Sequence, residues 1–436
     1  MVACRGVGVG IVVASLGLAT LTPAAAQSKE ATKATDVGVT ANEIRVATIA
    51  DVDNPFAPGL FKGAEVGAEA AAKYLNSKAG GGGIGGRKVV VDFIDSKVNA
   101  NQSRNAVITA CQNDFAMVGG AMLFFGSADD EVTCPDKQGA ATGLPDLPGF
   151  ASSVMQSCSA VAFPVGAPLI DCSTAQSTPQ KYTSNAGIAR YLVTKYGRGK
   201  LHGAMIYAID TQDAQRASRV VLDAVQAAGI KADQYKGISA TTPQSGFTPL
   251  VHQMKADKSN FGFSLAAPDN LIAEAKIQGL SGVTWVADYS QKTAGNPVMD
   301  GILTQLPFLP FDEGASNAML KTFLRYVPND GRDQFSVLAW AAMLALADAA
   351  RAVVARDGVN GLTRKALLHT GVPTLTHFDA GGMIGAVDIA RKVPSPCYLV
   401  EQLKGGKYQR VYPKRAGTFD CNKFNLVTTQ ADLVGG

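Results

Sequence analysis

The sequence has few of the residues on which enzymes and metal sites depend. It contains no Gly-x-Ser-x-Gly motif, which would mark the nucleophile of an α/β hydrolase. No two cysteines lie two to four residues apart, as the ligands of a structural zinc site would. Histidine is also scarce, and no close metal-ligand spacing occurs among His202, His252, His369 and His377. These absences disfavour an enzyme, a cofactor and a metal.

Neither positive nor negative charge is in large excess. The formal net charge is +4 with 17% charged residues, and no basic run occurs, so a nucleic acid or an acidic membrane is disfavoured as a partner. The glycine run over residues 80–86 ends in Gly86-Arg87-Lys88, whereas a phosphate-binding loop requires Gly-Lys-Ser or Gly-Lys-Thr. The run also precedes a predicted strand instead of opening a helix, which disfavours nucleotide binding.

The first 26 residues predict a secretory signal peptide. Arg5 precedes an apolar run over residues 6–21, and small residues follow up to Ala26, where cleavage is expected. An uncleaved membrane anchor is the alternative, but the run is shorter than the ~20 residues of a membrane span. Cys4 lies before the apolar run and so is not a lipid-bearing cysteine at the cleavage site. Cleavage would leave a soluble periplasmic or extracellular protein, with residues 27–39 as a disordered N-terminal segment.

Six cysteines remain once Cys4 is removed. An even number of cysteines in an exported chain predicts disulfides, although six cysteines allow about 15 connectivities. Each bridge of this loop length would add about 2 to 4 kcal/mol if unstrained. Neighbours in sequence suggest the pairs Cys111 with Cys134, Cys158 with Cys172, and Cys397 with Cys421.

Residues 44–97 predict a βαβ unit, around which the rest of the chain is organised. A strand over 44–50 leads into a helix, the glycine run ends that helix, and residues 87–95 return as a second strand. Such a unit implies a parallel sheet covered by helices. The apolar face of the helix carries Leu60, Ala64, Gly67, Ala71 and Leu75.

The same alternation continues along the chain and predicts two consecutive α/β sheets. A third strand is expected at 115–120, with short strands at 140–144 and 159–165. A second series begins with a helix over 182–196 and a strand over 203–210. The apolar run 335–347 predicts a buried helix, because Asp348 and Arg351 interrupt it before it reaches membrane length. The tail predicts a hairpin around the turn at 404–407.

This order of segments resembles the type I periplasmic binding proteins, and most closely their leucine/isoleucine/valine-binding family, the solute receptors of ABC importers. The segments that carry the resemblance are residues 44–97, 115–120, 201–229, 261–280 and 334–354. The resemblance implies an α/β fold with two lobes, in which two doubly wound, mostly parallel sheets are joined by a hinge that the chain crosses three times. Lobe I would hold residues 40–164 plus 291–392, and lobe II residues 165–290 plus 393–436. The crossings would lie near 164–177, 288–292 and 393–398.

The resemblance also suggests where a ligand binds. Amino-acid binders of this family fix the α-carboxylate with hydroxyls and backbone donors after the third strand, where this sequence has apolar groups instead. The family's ammonium-binding acid matches Asp269, next to Asn270, while its lobe II aromatic is replaced near Thr211 and Gln212. Half of the amino-acid pattern is therefore missing, and a ligand with an apolar or aromatic body is expected. The loop in question comprises Met122, Leu123, Phe124, Phe125, Gly126 and Ser127.

Further candidates follow from the rule that ligands bind beyond the carboxyl ends of parallel strands. Each candidate also has a structural interpretation, since turns use Asp and Asn freely, Asp269 could cap a helix, and one phenylalanine could point into the core. Tyr289 could shut over a ligand or pack at the hinge. The remaining candidates are Asp51, Asp53 and Asn54 in lobe I, and Asp210 and Gln212 in lobe II.

The sequence thus predicts an extracytoplasmic solute-binding protein that delivers a small organic ligand to a membrane ABC permease, as a monomer and without a cofactor. A branched-chain amino acid receptor and a sensory receptor on the same fold are alternatives. An exported hydrolase is a third, which the missing nucleophile motif disfavours.

Overall fold

The βαβ unit expected at the start of the mature chain is present in the computed structural model of the protein. β1 (Glu43–Ala50) and β2 (Lys88–Asp95) pair in parallel over their full length, from Glu43 with Lys88 to Ala50 with Asp95. α1 (Lys62–Asn76) connects them and buries Ala64, Gly67, Ala71 and Leu75 of the predicted apolar face, whereas Leu60 precedes the helix and is half-buried.

The structure describes residue 6 and residues 30–54, 58–126, 128–166 and 170–431, without the side chains of Gln291 and Lys292. Residues 32–436 form one compact unit, and residues 1–31 are a separate unit. The predicted signal peptide lies outside the described residues except for Gly6, and Ser127 of the predicted ligand loop lies outside them too.

The remaining strands are short and alternate with helices. They are β3 (Ala116–Val118), β4 (Ala121–Met122), β5 (Asp146–Leu147), β6 (Phe150–Ala151), β7 (Gln180–Asn185), β8 (His202–Ala208), β9 (Lys231–Ile238), β10 (Phe261–Ser264), β11 (Thr284–Ala287), β12 (Leu303–Leu306), β13 (Leu399–Lys404), β14 (Lys407–Tyr412) and β15 (Leu426–Ala431). The remaining helices are α2 (Ala100–Asn113), α3 (Ala128–Val132), α4 (Val154–Ser157), α5 (Gly187–Tyr196), α6 (Gln212–Ala227), α7 (Thr248–Ala256), α8 (Pro268–Ile277), α9 (Gln291–Ala294), α10 (Ala318–Tyr326), α11 (Gln334–Asp357) and α12 (Arg364–Ala366).

The described strands form two large sheets and one small sheet. The first is parallel, with strand order β5-β3-β1-β4-β6 and β2 on the other side of β1. The second has the order β14-β13-β12-β11-β10-β8-β9 and is parallel up to β12, after which β13 and β14 are antiparallel. β13 and β14 form the predicted hairpin. β7 and β15 make a separate antiparallel pair.

α11 is the central helix of the first core. Among the described residues it alone is long and apolar enough to cross a membrane, and 72% of its most apolar window is buried inside the protein. It packs along α1 so closely that a Cβ at Gly67 would lie 2.2 Å from the carbonyl oxygen of Ser336. The expectation of a buried helix over 335–347 is therefore confirmed.

The segment before β1 is ordered, which corrects the expectation of disorder for most of residues 27–39. Asp36 and Val39 are 5% and 1% exposed. The guanidinium of Arg87 donates to the carbonyl oxygen of Lys33 at 2.8 Å, and Asp36 accepts the backbone N–H of Arg364 at 2.7 Å. Polar residues far along the chain thus hold a segment whose own composition is typical of a loose terminus.

Several strand boundaries also differ from the prediction. The strands expected at 140–144 and 159–165 are replaced by β5 and β6, and β5 lies between Pro145 and Pro148, which cannot donate a backbone N–H. Residues 180–185 form β7 instead of the start of a helix, because they pair with β15 at the end of the chain. β12 pairs with β11 and β13, so residues 303–306 lie in the second sheet and not in lobe I as expected.

The six cysteines are paired as predicted. Cys111–Cys134 has an S–S distance of 2.11 Å, Cys158–Cys172 of 2.09 Å and Cys397–Cys421 of 2.13 Å. The first bridge joins the end of α2 to the segment before β5, and the third joins the start of the hairpin to the C-terminal segment.

Candidate ligand-binding site

Each large sheet has a point at which its strand order reverses. In the first sheet, β1 lies between β2 and the β3 and β4 segments; in the second, β8 lies between β9 and β10. The loops after the central strands open a crevice at such a point, which is where small molecules bind in α/β proteins. The predicted site residues were chosen from these loops.

Asp51 braces the loops of the first sheet. It is 1% exposed. One carboxylate oxygen accepts hydrogen bonds from the Ser96 hydroxyl and the Val98 N–H, both at 2.7 Å, and the other accepts the Leu123 N–H at 2.7 Å. One carboxylate therefore ties together the loops after β1, β2 and β4. The structure gives Asp51 a role in positioning these loops, and its contact with a ligand stays a prediction.

We expect Asp51→Asn to lower the free energy of unfolding by about 1 to 3 kcal/mol. The amide group of Asn must turn an N–H donor towards one of the three donors that the carboxylate accepts, which leaves that donor unpaired. Thermal unfolding followed by circular dichroism measures the change. Asp53→Asn is the matched control, because Asp53 is exposed two residues away; equal melting temperatures for both variants would contradict the bracing role.

A second carboxylate completes the brace. Asp95 accepts the backbone N–H groups of Val52 at 3.0 Å, Asp53 at 2.9 Å and Lys97 at 2.9 Å. Asn54 is 4% exposed. The loop after β1 is thus held by carboxylates from both β1 and β2, and of its predicted site residues only Asp53 has an exposed side chain.

The predicted apolar loop divides between the core and the crevice. Phe125 is 3% exposed and packs in the cluster that contains Met122. Leu123 and Phe124 are half-buried, and Gly126 is exposed. Leu123 and Phe124 thus retain solvent-accessible surface, and their contact with a ligand stays a prediction.

In the second sheet, two predicted site residues also support loops. Asp210 accepts the Ser239 hydroxyl at 2.5 Å and the Ala240 N–H at 2.9 Å, and the Asn270 amide donates to the carbonyl oxygen of Thr242 at 2.9 Å. Gln212 is the exposed first residue of α6. Thr211 caps that helix through the Ala214 N–H at 3.0 Å.

A cavity of about 300 Å³ lies at the carboxyl ends of β10 and β11. Asp269 is exposed in the first turn of α8 and lines it; the cap of that helix is Ala267, so the capping role considered for Asp269 is not observed. Asp288 also lines the cavity and is exposed to solvent there, and partial desolvation by the surrounding protein raises the pKa of its carboxyl to about 6. Other lining residues include Ser264, Ser290, Thr293 and Asn296.

Tyr289 lies between these cavity residues but points into the core. It is 7% exposed, and its ring packs 4.6 Å from that of Tyr408 and 5.7 Å from that of Phe308. The structure thus gives it the packed position that was the alternative to closing over a ligand.

A second cavity, of about 180 Å³, lies between β6 of the first sheet and α6, with Tyr182 of β7 also at its wall. Phe150 and Ser152, at the end of β6, form one side, and Arg216 and Val220 of α6 form the other, with Ile170 between them. The ring of Phe150 is held 5.7 Å from Phe61 and 5.9 Å from Phe335. None of these residues is among the candidates predicted from the sequence. The one sequence feature that indicates any of them is the position of Arg216, one turn after Gln212 on α6.

A sequence profile of the periplasmic binding protein family matches residues 43–407. The chain belongs to this family. A search of the sequence against curated proteins finds no match.

Solved structures of family members share the fold of this periplasmic binding protein at low sequence identity. The leucine-binding protein LivK of Thermotoga maritima superposes with a TM-score of 0.63 at 13% identity, covering 84% of this chain and 97% of that one. A solute-binding protein of R. palustris in complex with benzoate gives 0.61 at 16%, covering 86% and 99%. A fatty acid ABC transporter substrate-binding protein of Thermomonospora curvata gives 0.64 at 14%, covering 88% and 97%. These likenesses establish the two-lobed type I fold.

Proposed function

We propose that this protein captures a small organic ligand between its two lobes and delivers it to a membrane ABC importer. The observation that carries the proposal is the cavity between β6 and α6, because one wall comes from a strand of the first large sheet and the other from the helix that follows β8 of the second. A ligand there contacts both lobes and therefore favours the closed state over the open one, which is how a binding protein signals occupancy to its transporter. The structural relatives that bind leucine, benzoate or fatty acids support this function.

The proposed lobes follow the sheets. The first crossing of the hinge is proposed at residues 164–177 and the third at 393–398, as the sequence predicts. The second moves from 288–292 to the residues after Leu306, since β12 still belongs to the second sheet. Phe308, directly beyond it, bridges to Ile384 in the first lobe.

The ligand is proposed to have an apolar or aromatic body. Leu123 and Phe124 are accessible in the first lobe, and the ring of Phe150 is fixed by its aromatic neighbours. Fixed aromatic rings provide a large apolar contact area. The protein is proposed to be a monomeric periplasmic receptor and not an enzyme.

A branched-chain amino acid is the second candidate ligand. Asp269 and Asp288 both line the cavity at the ends of β10 and β11, and two carboxyl groups there favour an ammonium group. Contact of Asp269 with a ligand is in line with its match to the acid of the leucine/isoleucine/valine-binding family.

A thermal-shift panel on residues 27–436 tests the function. It compares branched-chain amino acids with aromatic and aliphatic carboxylates and with neutral apolar compounds. A ligand present at about a hundredfold over its Kd stabilises the protein by about 2.7 kcal/mol, a shift of several degrees or less. Small-angle scattering should then show a smaller radius of gyration in the complex.

Two variants provide the controls for this test. Phe150→Ala should weaken binding of the ligand, whereas Phe424→Ala, at a residue that is 60% exposed and outside the cavity, should not. Stabilisation without compaction, or equal affinities for both variants, would show that the ligand does not bind between the lobes.

A further inference from the structure

Arg216 is the one cation among the described residues that line the cavity between β6 and α6. Arg216 lies in the second turn of α6, and its side chain is 16% exposed. Its Nη1 donates to the carboxylate of Asp213 at 2.6 Å. Its Nε is buried, and within the described part of the chain no acceptor bonds to it. A buried N–H without an acceptor is costly, so Arg216 retains a donor for a further partner.

The geometry of the guanidinium limits what that partner can be. The group is planar, and its N–H donors form a rigid fork. With Nη1 bonded to Asp213, the Nε–H and the parallel N–H of Nη2 form the opposite edge. Two oxygens of one carboxylate match such an edge in a bidentate arrangement, which is stronger than a bond between neutral groups.

The rest of the cavity is small and mostly apolar, with Ser152, Ser157 and Tyr182 as its other polar wall residues. Phe150, Val154, Ile170 and Val220 line it, and its volume is about 180 Å³. A cavity of about 150 Å³ in another protein accommodates benzene. The Ser152 hydroxyl, also at the wall, already donates to the carbonyl oxygen of Met122 at 3.3 Å. One aromatic ring or one branched alkyl group therefore fits the space beside Arg216.

We propose that Arg216 binds the carboxylate of a small monocarboxylic acid whose aromatic or branched aliphatic body occupies the cavity between β6 and α6. This inference rests on the proposed function and specifies its ligand. It places the polar end of the ligand at α6, and not at Asp269 as the sequence suggested. Asp213, on the other edge of the guanidinium, holds the fork in one orientation.

Isothermal titration calorimetry with acids and their neutral analogues tests the proposal. Benzoate and 3-methylbutanoate are compared with benzamide and 3-methylbutanamide, which have nearly the same shape. The protein should bind at least one acid and bind the corresponding amide at least about 10-fold more weakly. Arg216→Gln should weaken binding of the acid by about 10- to 100-fold, because a charge-assisted bond is lost, and should leave the amide unaffected.

Two further variants make the result specific. Arg219→Gln removes the same charge from the same helix at a residue outside the cavity, where the guanidinium lies 5.6 Å from the ring of Tyr207, so it should leave affinity for the acid unchanged. Asp213→Asn removes a negative charge beside the fork and should maintain or strengthen binding of the acid. Melting curves of all variants verify that they are folded.

The outcomes separate this inference from the proposed function. Amides that bind as tightly as the acids would overturn the role of Arg216 and leave a receptor for neutral compounds. Loss of binding in Asp213→Asn but not in Arg216→Gln would also overturn it, since the cavity would then take a cation. If neither the acids nor the amides bind, the inference is overturned, while the wider thermal-shift panel decides the function.

Discussion

Replacing Arg364 with Met is expected to lower the free energy of unfolding by about 3 to 5 kcal/mol. Arg364 is 0% exposed. Its guanidinium donates to the carbonyl oxygens of Pro135 at 2.7 Å, Cys111 at 2.8 Å and Phe115 at 3.3 Å, and to that of Asp114. Burial lowers the pKa of the guanidinium, and nearby carboxylates, first Asp36, oppose that shift.

The size of this effect follows from what the methionine leaves behind. The partners of Arg364 are backbone carbonyls from the end of α2, the start of β3 and the segment before β5. They cannot turn towards water without moving those elements, so each unpaired carbonyl pays its own desolvation cost. Arg364→Lys retains the charge but replaces a planar fork by a single ammonium group, so it should also destabilise the protein, though less.

Thermal unfolding measures the change, and a loss of this size lowers the melting temperature by roughly 6 to 15 °C in a lobe of about 200 residues. Arg356→Gln is the control, because this exposed arginine on α11 pairs only with its neighbour Asp357 within the described residues. A melting temperature for Arg364→Met that equals that of Arg356→Gln would show that the carbonyls find other donors.

The sequence predicted the elements whose signals are local. β1, α1 and β2 have long periodic patterns, and their residues pair in register as soon as the chain returns. The three disulfides join cysteines that are neighbours in sequence, so their order along the chain was enough. The apolar length of α11, with its interruption at Asp348, likewise distinguished a core helix from a membrane span.

The predictions that failed depend on distant partners. β5 and β6 have two residues each, and β5 is flanked by Pro145 and Pro148, so only their pairing with β3 and β4 makes them strands. Asp36 and the rest of the N-terminal segment are ordered by Arg87 and Arg364, which are far away in sequence. The cavity beside Arg216 exists because α6 packs near β6, and no local pattern in either element indicates that contact.

The predicted site residues show the same division. Position at the carboxyl end of a strand selects these loops as candidates, but it does not tell whether a side chain faces the crevice or supports it. Asp51 and Asp210 accept hydrogen bonds from backbone N–H groups of neighbouring loops, whereas the Asn270 amide donates a hydrogen bond to such a loop. Short polar residues suit both purposes equally well, so sequence alone could not separate the two roles.

Raising the pH from about 5 to about 7 is expected to destabilise the protein by about 2 kcal/mol for each carboxyl of one buried pair, Glu131 and Asp146. They are 0% and 1% exposed. Burial raises the pKa of Asp146 to about 7 and that of Glu131 well above its usual range, where the nearby charge of Asp146 adds to the shift. Lys392 is the cation that faces both and lowers both pKa values.

The sign of this pH dependence follows from which state, folded or unfolded, holds the protons of the two carboxyls more tightly. Both pKa values are higher in the folded protein than in the unfolded chain, so folding is favoured when the carboxyls are protonated. This contribution is complete below about pH 4 and is lost as the pH rises through about 7. Oε1 of Glu131 has no donor within the described ranges, which suits a protonated carboxyl that donates to Asp146. Oε2 accepts the Ser159 hydroxyl at 2.6 Å.

Glu131→Gln tests this assignment because glutamine copies the shape of a protonated glutamate and donates an N–H in place of the O–H. With no second charge to bury, the variant should gain stability relative to the wild type at pH 8 and lose that advantage at pH 5. Melting temperatures at four pH values measure the difference between the two slopes, in which the contributions of other buried acids cancel. Glu69→Gln on the exposed face of α1 makes the same charge change and should keep the wild-type slope. If Glu131→Gln keeps that slope too, Glu131 does not hold its proton more tightly in the folded protein than in the unfolded chain, and the pH dependence must come from acids elsewhere in the fold.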